Sequence, residues 1–189
     1  MIRHSDESSC GAGAIGAQRT PPRLSASELG ISVCQQVNQF LSLMTFDEEH
    51  HRLGIVQLPQ PAARTPMTVG LAHSAYTFPS LESLLTKYED LKKADIQAHV
   101  PVQHGPTTSL YYRDPDDNTV ELQIDNFTTL EEATEYMRGE EFHADPFGPS
   151  FDPDAMLAAL RAGTPESELL TRAWAKTCLQ RNVPELLLT

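Results

Sequence analysis

Apolar and small residues alternate loosely with polar ones from Ile31 to Val37, from Phe40 to Phe46, and again through HHRLGIVQLP, as strands with one buried face require. An acidic turn, DEE, joins the second stretch to the third. A Pro- and Ala-rich connector from Pro59 to Pro66 follows, and Val69 to Phe78 predicts another strand. The period then changes. Behind Ser80, which can cap a helix, Leu81, Leu84, Leu85, Tyr88 and Leu91 recur at helical spacing. Strand patterning returns at Ala98 to Val102, Leu110 to Arg113 and Thr119 to Ile124, with DPDDN as the turn between the last two. The second half thus reads β-α-β-β-β. The first half offers only the closing strands of that pattern, an internal repeat that is incomplete at its start.

The pattern divides the chain in three. Residues 1–27 carry SSCGAGAIGAQRTPPRLSAS, without periodicity, and are expected to be disordered or divergent. Residues 28–126 form the core, and residues 127–189 form a helical extension. In that extension Thr128 with Glu131 suits a capping box, and Asp152 with Pro153 starts a helix that Gly163 can end. Thr164 with Pro165 starts another, with Leu170, Ala173 and Trp174 as its packing stripe.

Composition narrows the function classes. The chain has 189 residues, 40% of them hydrophobic and 21% charged, as in an ordinary globular domain. A formal charge of −12, from 14 basic and 26 acidic residues, leaves no basic stripe for phosphates, so nucleic acid is not expected as a partner. No apolar run reaches membrane-spanning length, and MIRHSDESS is not a secretory leader, so a cytoplasmic protein is expected. Cys10, Cys34 and Cys178 lack metal-site or disulfide spacing, and Cys34 reads as a core thiol.

Candidate chemistry lies in VQHGPTTSLYYRDPDDNTVELQ. If the turn centres on Asp116, Arg113 pairs with Thr119 and Tyr111 lies opposite Glu121, placing a phenol and a carboxylate on one face. Tyr111 and Tyr112 cannot both point there; the register decides between them. His73 falls in VGLAHSAYTF on the face of Leu71, Ala75 and Thr77, where small neighbours leave room above the imidazole. By periodicity alone His73 also suits a core position, Glu121 an exposed strand site, and His50 with His51 a solvated hairpin end.

Taken in order, His104, Leu110-Tyr111, Asp114-Pro115 and Glu121 resemble the signature of type I extradiol dioxygenases of the vicinal-oxygen-chelate superfamily, with Asp117 where that family usually has glycine. The pair His50-His51 before His73 is similar to the family's His-His pair, and the likeness spans roughly Leu29 to Asn126. The resemblance implies an α+β fold of paired βαβββ modules, here with an incomplete first module and a C-terminal helical extension. It implies His73 and Glu121 as ligands of Fe(2+), or Mn(2+), in a 2-His-1-carboxylate triad with O2 as co-substrate. His51 then corresponds to the acid-base histidine, Tyr111 and His104 to substrate-positioning groups that share in catalysis, and His50 to a substrate neighbour. The family's first ligand is a histidine on an opening strand; His4 lies at about that distance upstream, but SDESSCGAGA after it lacks strand and helix patterning. A small aromatic substrate and a homodimer are the implied partners, in aromatic-compound or secondary metabolism. Two other functions stay open on these residues: a non-oxidative isomerase, cyclase or lyase of the same superfamily, and a non-catalytic small-molecule binder.

Overall fold

The computed structural model describes residues 22–36, 40–57, 59 and 71–188. A three-stranded antiparallel sheet comes first: β1 (Ser32–Gln36), β2 (Leu41–Thr45) and β3 (Leu53–Val56), paired in that order. These are the closing strands expected of the incomplete half. Cys34 lies on β1, but its side chain falls outside what is described, as do Cys10 and all of residues 1–21.

The second half is the expected β-α-β-β-β unit. It comprises β4 (Ser74–Thr77), α1 (Leu81–Lys93), β5 (Val100–Gln103), β6 (Thr107–Arg113) and β7 (Thr119–Asp125), with strands ordered β4-β7-β6-β5. Of the strand expected from Val69 to Phe78, Val69 and Gly70 lie outside the described residues, and β4 pairs in parallel with Val120 to Gln123 of β7. Ser80 caps α1 by accepting from the Ser83 N–H at 3.1 Å. Leu81, Leu84, Leu85, Tyr88 and Leu91 are all buried, on one helix face. They pack with Leu110, Tyr112, Val120, Leu122 and Ile124, the alternate residues of β6 and β7. Each such side chain contributes roughly 1.5–3 kcal/mol relative to exposure. With one sheet face committed to α1, the other is free to carry polar groups.

The extension contains α2 (Leu130–Arg138), α3 (Glu140–Ala144), α4 (Pro153–Arg161), α5 (Glu166–Leu169), α6 (Arg172–Ala175) and α7 (Val183–Leu188). Two expectations shift. The capping box is Thr129 with Glu132, one residue later than the pair Thr128 and Glu131. The helix expected from Thr164 is two short ones, because the Thr171 hydroxyl accepts from the Trp174 N–H and starts a new helix. Its buried residues are accordingly Leu169, Arg172 and Ala175; Leu170 and Trp174 are half-buried and Ala173 is exposed. α4 follows expectation, capped by Asp152, with Gly163 in the left-handed region just past its end.

Two segments tie the extension and the start of the described chain to the larger sheet. Val183, Leu186 and Leu187 of α7, with Phe147, pack on Val100, Val102 and Tyr111, the face opposite α1. Leu24 is buried at 1% exposure in the α1-side core, and its N–H donates to the Arg113 carbonyl at 3.0 Å.

Candidate active site

The turn Asp114 to Asn118 sets the register on which the site depends. The Asp114 carboxylate accepts the N–H groups of Asp116 at 2.9 Å and Asn118 at 2.7 Å, and Asp117 adopts φ 66°. Aspartate enters the left-handed region more readily than most residues, so it serves where glycine is usual. Arg113 pairs with Thr119 and Tyr111 with Glu121, as the centring on Asp116 requires. Tyr111 therefore faces away from α1, and Tyr112, fully buried, faces the core. The register settles which tyrosine shares a face with Glu121.

β4 brings the third group. Ala75 is the parallel partner of Glu121, and His73, two residues earlier, places Nε2 3.0 Å from Glu121 Oε2. The Glu121 side chain is 5% exposed while that of His73 is 42% exposed, so a buried carboxylate meets a solvent-facing imidazole. His104, just past β5, places Nε2 2.9 Å from the Tyr111 hydroxyl. The Tyr111 ring is met edge-on by both imidazoles, with centroids 5.8 Å away in each case. Two residues on strands, Tyr111 and Glu121, and two at strand ends, His73 and His104, thus form a continuous polar chain on one sheet face.

Burial, reinforced by the neighbouring Glu121 carboxylate, pushes the Tyr111 phenol far above the ordinary range. The hydroxyl stays protonated and can donate. Burial holds His104 below the usual imidazole value; Glu121 and a hydrogen bond from the ring to the Phe147 carbonyl oppose this, while Arg172 and His73 add to it. A neutral His104 has one N–H. With the Phe147 carbonyl taking it, Nε2 can only accept, and the single Tyr111 O–H has both His104 Nε2 and the Glu121 carboxylate within reach.

His50 and His51 stand on the turn between β2 and β3, both exposed, with Nδ1 atoms 3.0 Å apart. The turn is braced by Arg52, whose Nε donates to Asp47 Oδ2 at 3.0 Å. It is held to the larger sheet through Phe46, whose ring meets Tyr76 of β4 edge-on at 5.5 Å. Among the described residues His51 makes no hydrogen bond to His73, His104, Tyr111 or Glu121. His4 lies outside the described residues, and among those described no group of three His, Cys, Asp or Glu is placed to hold a metal.

Three contributions escape sequence reasoning. Phe147 joins Tyr111 in the small apolar cluster under α7. Gly148, at φ 82°, permits this placement: a side chain there would sit 2.1 Å from the Gln103 carbonyl. Arg172 is buried and donates to the His104 carbonyl. Gln103 and Asn126 clamp the loop after β5: Gln103 Oε1 accepts from Gly105 N at 3.1 Å and Asn126 Nδ2 at 2.7 Å. The Gly-Pro step after Phe147 was the one legible signal, since it marks a tight turn.

The family model described as Glyoxalase/Bleomycin resistance protein/Dioxygenase superfamily matches residues 26–122. Biphenyl-2,3-diol 1,2-dioxygenase 3 of Rhodococcus globerulus is 57% identical over 154 residues, covering 80% of this chain and 81% of that protein. Biphenyl-2,3-diol 1,2-dioxygenase 2 of the same organism is 54% identical over 136 residues, covering 71% and 72%. The Mn(II)-bound glyoxalase from Novosphingobium aromaticivorans overlaps 52% of this chain and 31% of its own, at 24% identity and a TM-score of 0.28, and bears no weight. The chain belongs to the glyoxalase, bleomycin resistance protein and dioxygenase superfamily, and within it groups with the extradiol dioxygenases.

Proposed function

We propose that this protein opens the ring of a catechol-like aromatic beside its two hydroxyls, using iron(II) and O2. The observation that carries the reading is the convergence of His73, Glu121, Tyr111 and His104 on one sheet face, with His73 Nε2 3.0 Å from Glu121 Oε2. An imidazole nitrogen and a carboxylate oxygen are donors suited to iron(II) or manganese(II), and they make two of the three groups of a facial triad. His4 is the proposed third. Iron(II) bound there would supply an electron route between an electron-rich diol and O2.

The remaining roles belong to the chain's own side chains. Tyr111, kept protonated by burial and by Glu121, turns its one O–H from the site's own acceptors to a substrate oxygen and so fixes the diol's orientation. His104, held by the Phe147 carbonyl, stands beside that oxygen as a second substrate-positioning group. His51 accepts a proton from the diol and returns it to the product, with His50 beside it as a substrate neighbour. Its imidazole is exposed on the turn between β2 and β3. Small aromatic diols, and biphenyl-2,3-diol first, are the proposed substrates, by the names of the relatives.

The protein is further proposed to act in the cytoplasm as a homodimer. No helix among the described residues is long and apolar enough to cross a membrane. Ile55 and Val56 on the edge strand β3 are 48% and 59% exposed, as an interface between copies requires. The test of function is O2 uptake by anaerobically purified, iron(II)-loaded protein given biphenyl-2,3-diol. Uptake equal to the diol consumed, with a ring-opened product, supports the reading; unchanged diol in protein that binds iron refutes it.

A further inference from the structure

Arg113 follows Tyr111 by two residues on β6 and pairs with Thr119, which precedes Glu121 by two on β7. Alternation puts all four side chains on the sheet face away from α1. β4 runs parallel to β7 with Ser74 against Val120, and one residue ahead of that rung stand His73 and Thr119. Arg113, Thr119 and His73 therefore lie side by side along the line of three neighbouring strands, which are spaced about 4.8 Å apart. A cation thus stands one strand beyond the residue beside His73.

The Arg113 guanidinium leans toward β7: Nη1 donates to Thr119 Oγ1 at 2.7 Å and to the Asp117 carbonyl at 3.3 Å. Those acceptors use the two N–H groups of Nη1. Among the described residues Nε and Nη2 make no hydrogen bond, and no carboxylate forms an ion pair with Arg113. The acids of the adjoining turn are engaged elsewhere. The Asp114 carboxylate accepts the Asp116 and Asn118 amides, and Asp117 pairs with Arg23. Holding Thr119 needs only a neutral donor; the charge and the second edge exceed that task. The Nε and Nη2 edge presents two parallel N–H donors, the fork that a carboxylate accepts bidentately. On the β4 side the same face is open, since Leu71, His73, Ala75 and Thr77 are all exposed.

We propose that Arg113 is a specificity-determining residue whose unclaimed edge binds a carboxylate carried on the ring of the diol, so that catechols with an acidic substituent are preferred to neutral ones. The inference rests on the ring-cleavage reading, which puts the two hydroxyls at His73 and Glu121 beside Tyr111. A ring held there with its substituent toward Thr119 brings the carboxylate to Arg113. Biphenyl-2,3-diol lacks such a group and binds without this contact. The chain's formal charge of −12 repels an anion at long range, so a preference for the acid requires a cation at the site.

The test compares 3,4-dihydroxybenzoate with 3,4-dihydroxybenzamide, which has nearly the same shape and no charge, in iron(II)-loaded protein. The wild-type ratio of kcat/KM, acid over amide, is expected to be roughly tenfold. It is expected to fall to about one or below in Arg113→Gln, which keeps a donor for Thr119, and to be intermediate in Arg113→Lys, which keeps the charge without the fork. A wild-type ratio of one or less, or the same ratio in wild type and folded Arg113→Gln, would overturn the proposal. If Arg113→Gln does not fold, Arg113→Met is read by the same criterion. Binding is also followed without metal, by NMR of the Thr119 and Ala75 amides during titration with benzoate. Shifts are expected in wild type with benzoate, and neither in Arg113→Gln nor with benzamide. If wild type opens neither diol, the ring-cleavage reading has failed, and the benzoate titration alone decides: no benzoate-specific shift, or the same shift in Arg113→Gln, refutes the assignment.

Discussion

Val120, Leu122 and Ile124 of β7 are buried against α1, whereas Ile55 and Val56 of β3 are 48% and 59% exposed. The two sheets thus hold their candidate histidines differently. α1 covers one face of the larger sheet, and α6 and α7 pack on its edge strand β5. Glu121, Tyr111 and His104 stand on that braced half, and Glu121 and Tyr111 are at most 4% exposed. His50 and His51 stand on an exposed turn of the smaller sheet, joined to the larger one through the ring contact of Phe46 with Tyr76. Of the two proposed metal holders, Glu121 lies on the packed strand β7, which fixes geometry better than a loop does, while His73 stands just ahead of β4 with its side chain 42% exposed. A proton-transfer group needs reach, which an exposed turn allows.

The largest expected effect separates the halves by chemistry. Glu121→Gln removes the buried carboxylate that faces His73 and should lower ring cleavage well beyond the roughly 100-fold typical of outer-sphere partners, measured as O2 uptake with added iron(II). His51→Ala should lower kcat by about 100-fold while leaving the thermal midpoint unchanged, because the imidazole is exposed. An unaltered kcat would confine the site to the larger sheet and break the comparison.

The neighbouring tyrosines sharpen it within one strand. Tyr111→Phe should cost at least about tenfold in kcat/KM, since the hydroxyl between His104 and Glu121 is lost. Tyr112→Phe should keep activity and leave stability unchanged or raise it by about 1 kcal/mol, because the Tyr112 hydroxyl is buried without a partner among the described residues. Chemical denaturation should show Leu84→Ala costing about 2–5 kcal/mol and Ile55→Ala within about 0.5 kcal/mol of wild type, in line with their burial.

The smallest effect is at the surface. Arg161 first, then Lys93, holds the Glu89 carboxyl down at about 2, below its model-compound 4.5. A depressed carboxyl contributes stability that is complete above its unfolded value and is lost as pH falls toward the folded one. Glu89→Gln should therefore flatten part of the fall in thermal midpoint between those two values, by a small amount because the pair is exposed.

Much of the braced half was legible. The turn DPDDN predicts the pairing of Tyr111 with Glu121, and leucines at helical spacing behind Ser80 predict α1 and its buried face. Those signals are local, and one-sided burial writes them into the period of the sequence. The rest depends on long-range contacts. Arg172 reads as a surface charge in LLTRAWA, and only the approach of the His104 loop reveals its burial. Leu24 sits in polar sequence, yet docks on a core some ninety residues away through the Arg113 carbonyl. Phe147 is a lone aromatic in a loop, placed by a glycine conformation that no periodicity encodes. The break at Thr171 escaped for the opposite reason: a threonine inside an apolar helical stripe does not reveal that its hydroxyl caps a new turn.

The central claim is that His73 and Glu121 hold a catalytic metal. Its most direct test is the iron content of protein purified without oxygen and supplied with iron(II), in wild type and in folded His73→Ala. The account predicts about one iron per chain in wild type and near-complete loss in the variant. Equal iron in both proteins would contradict it.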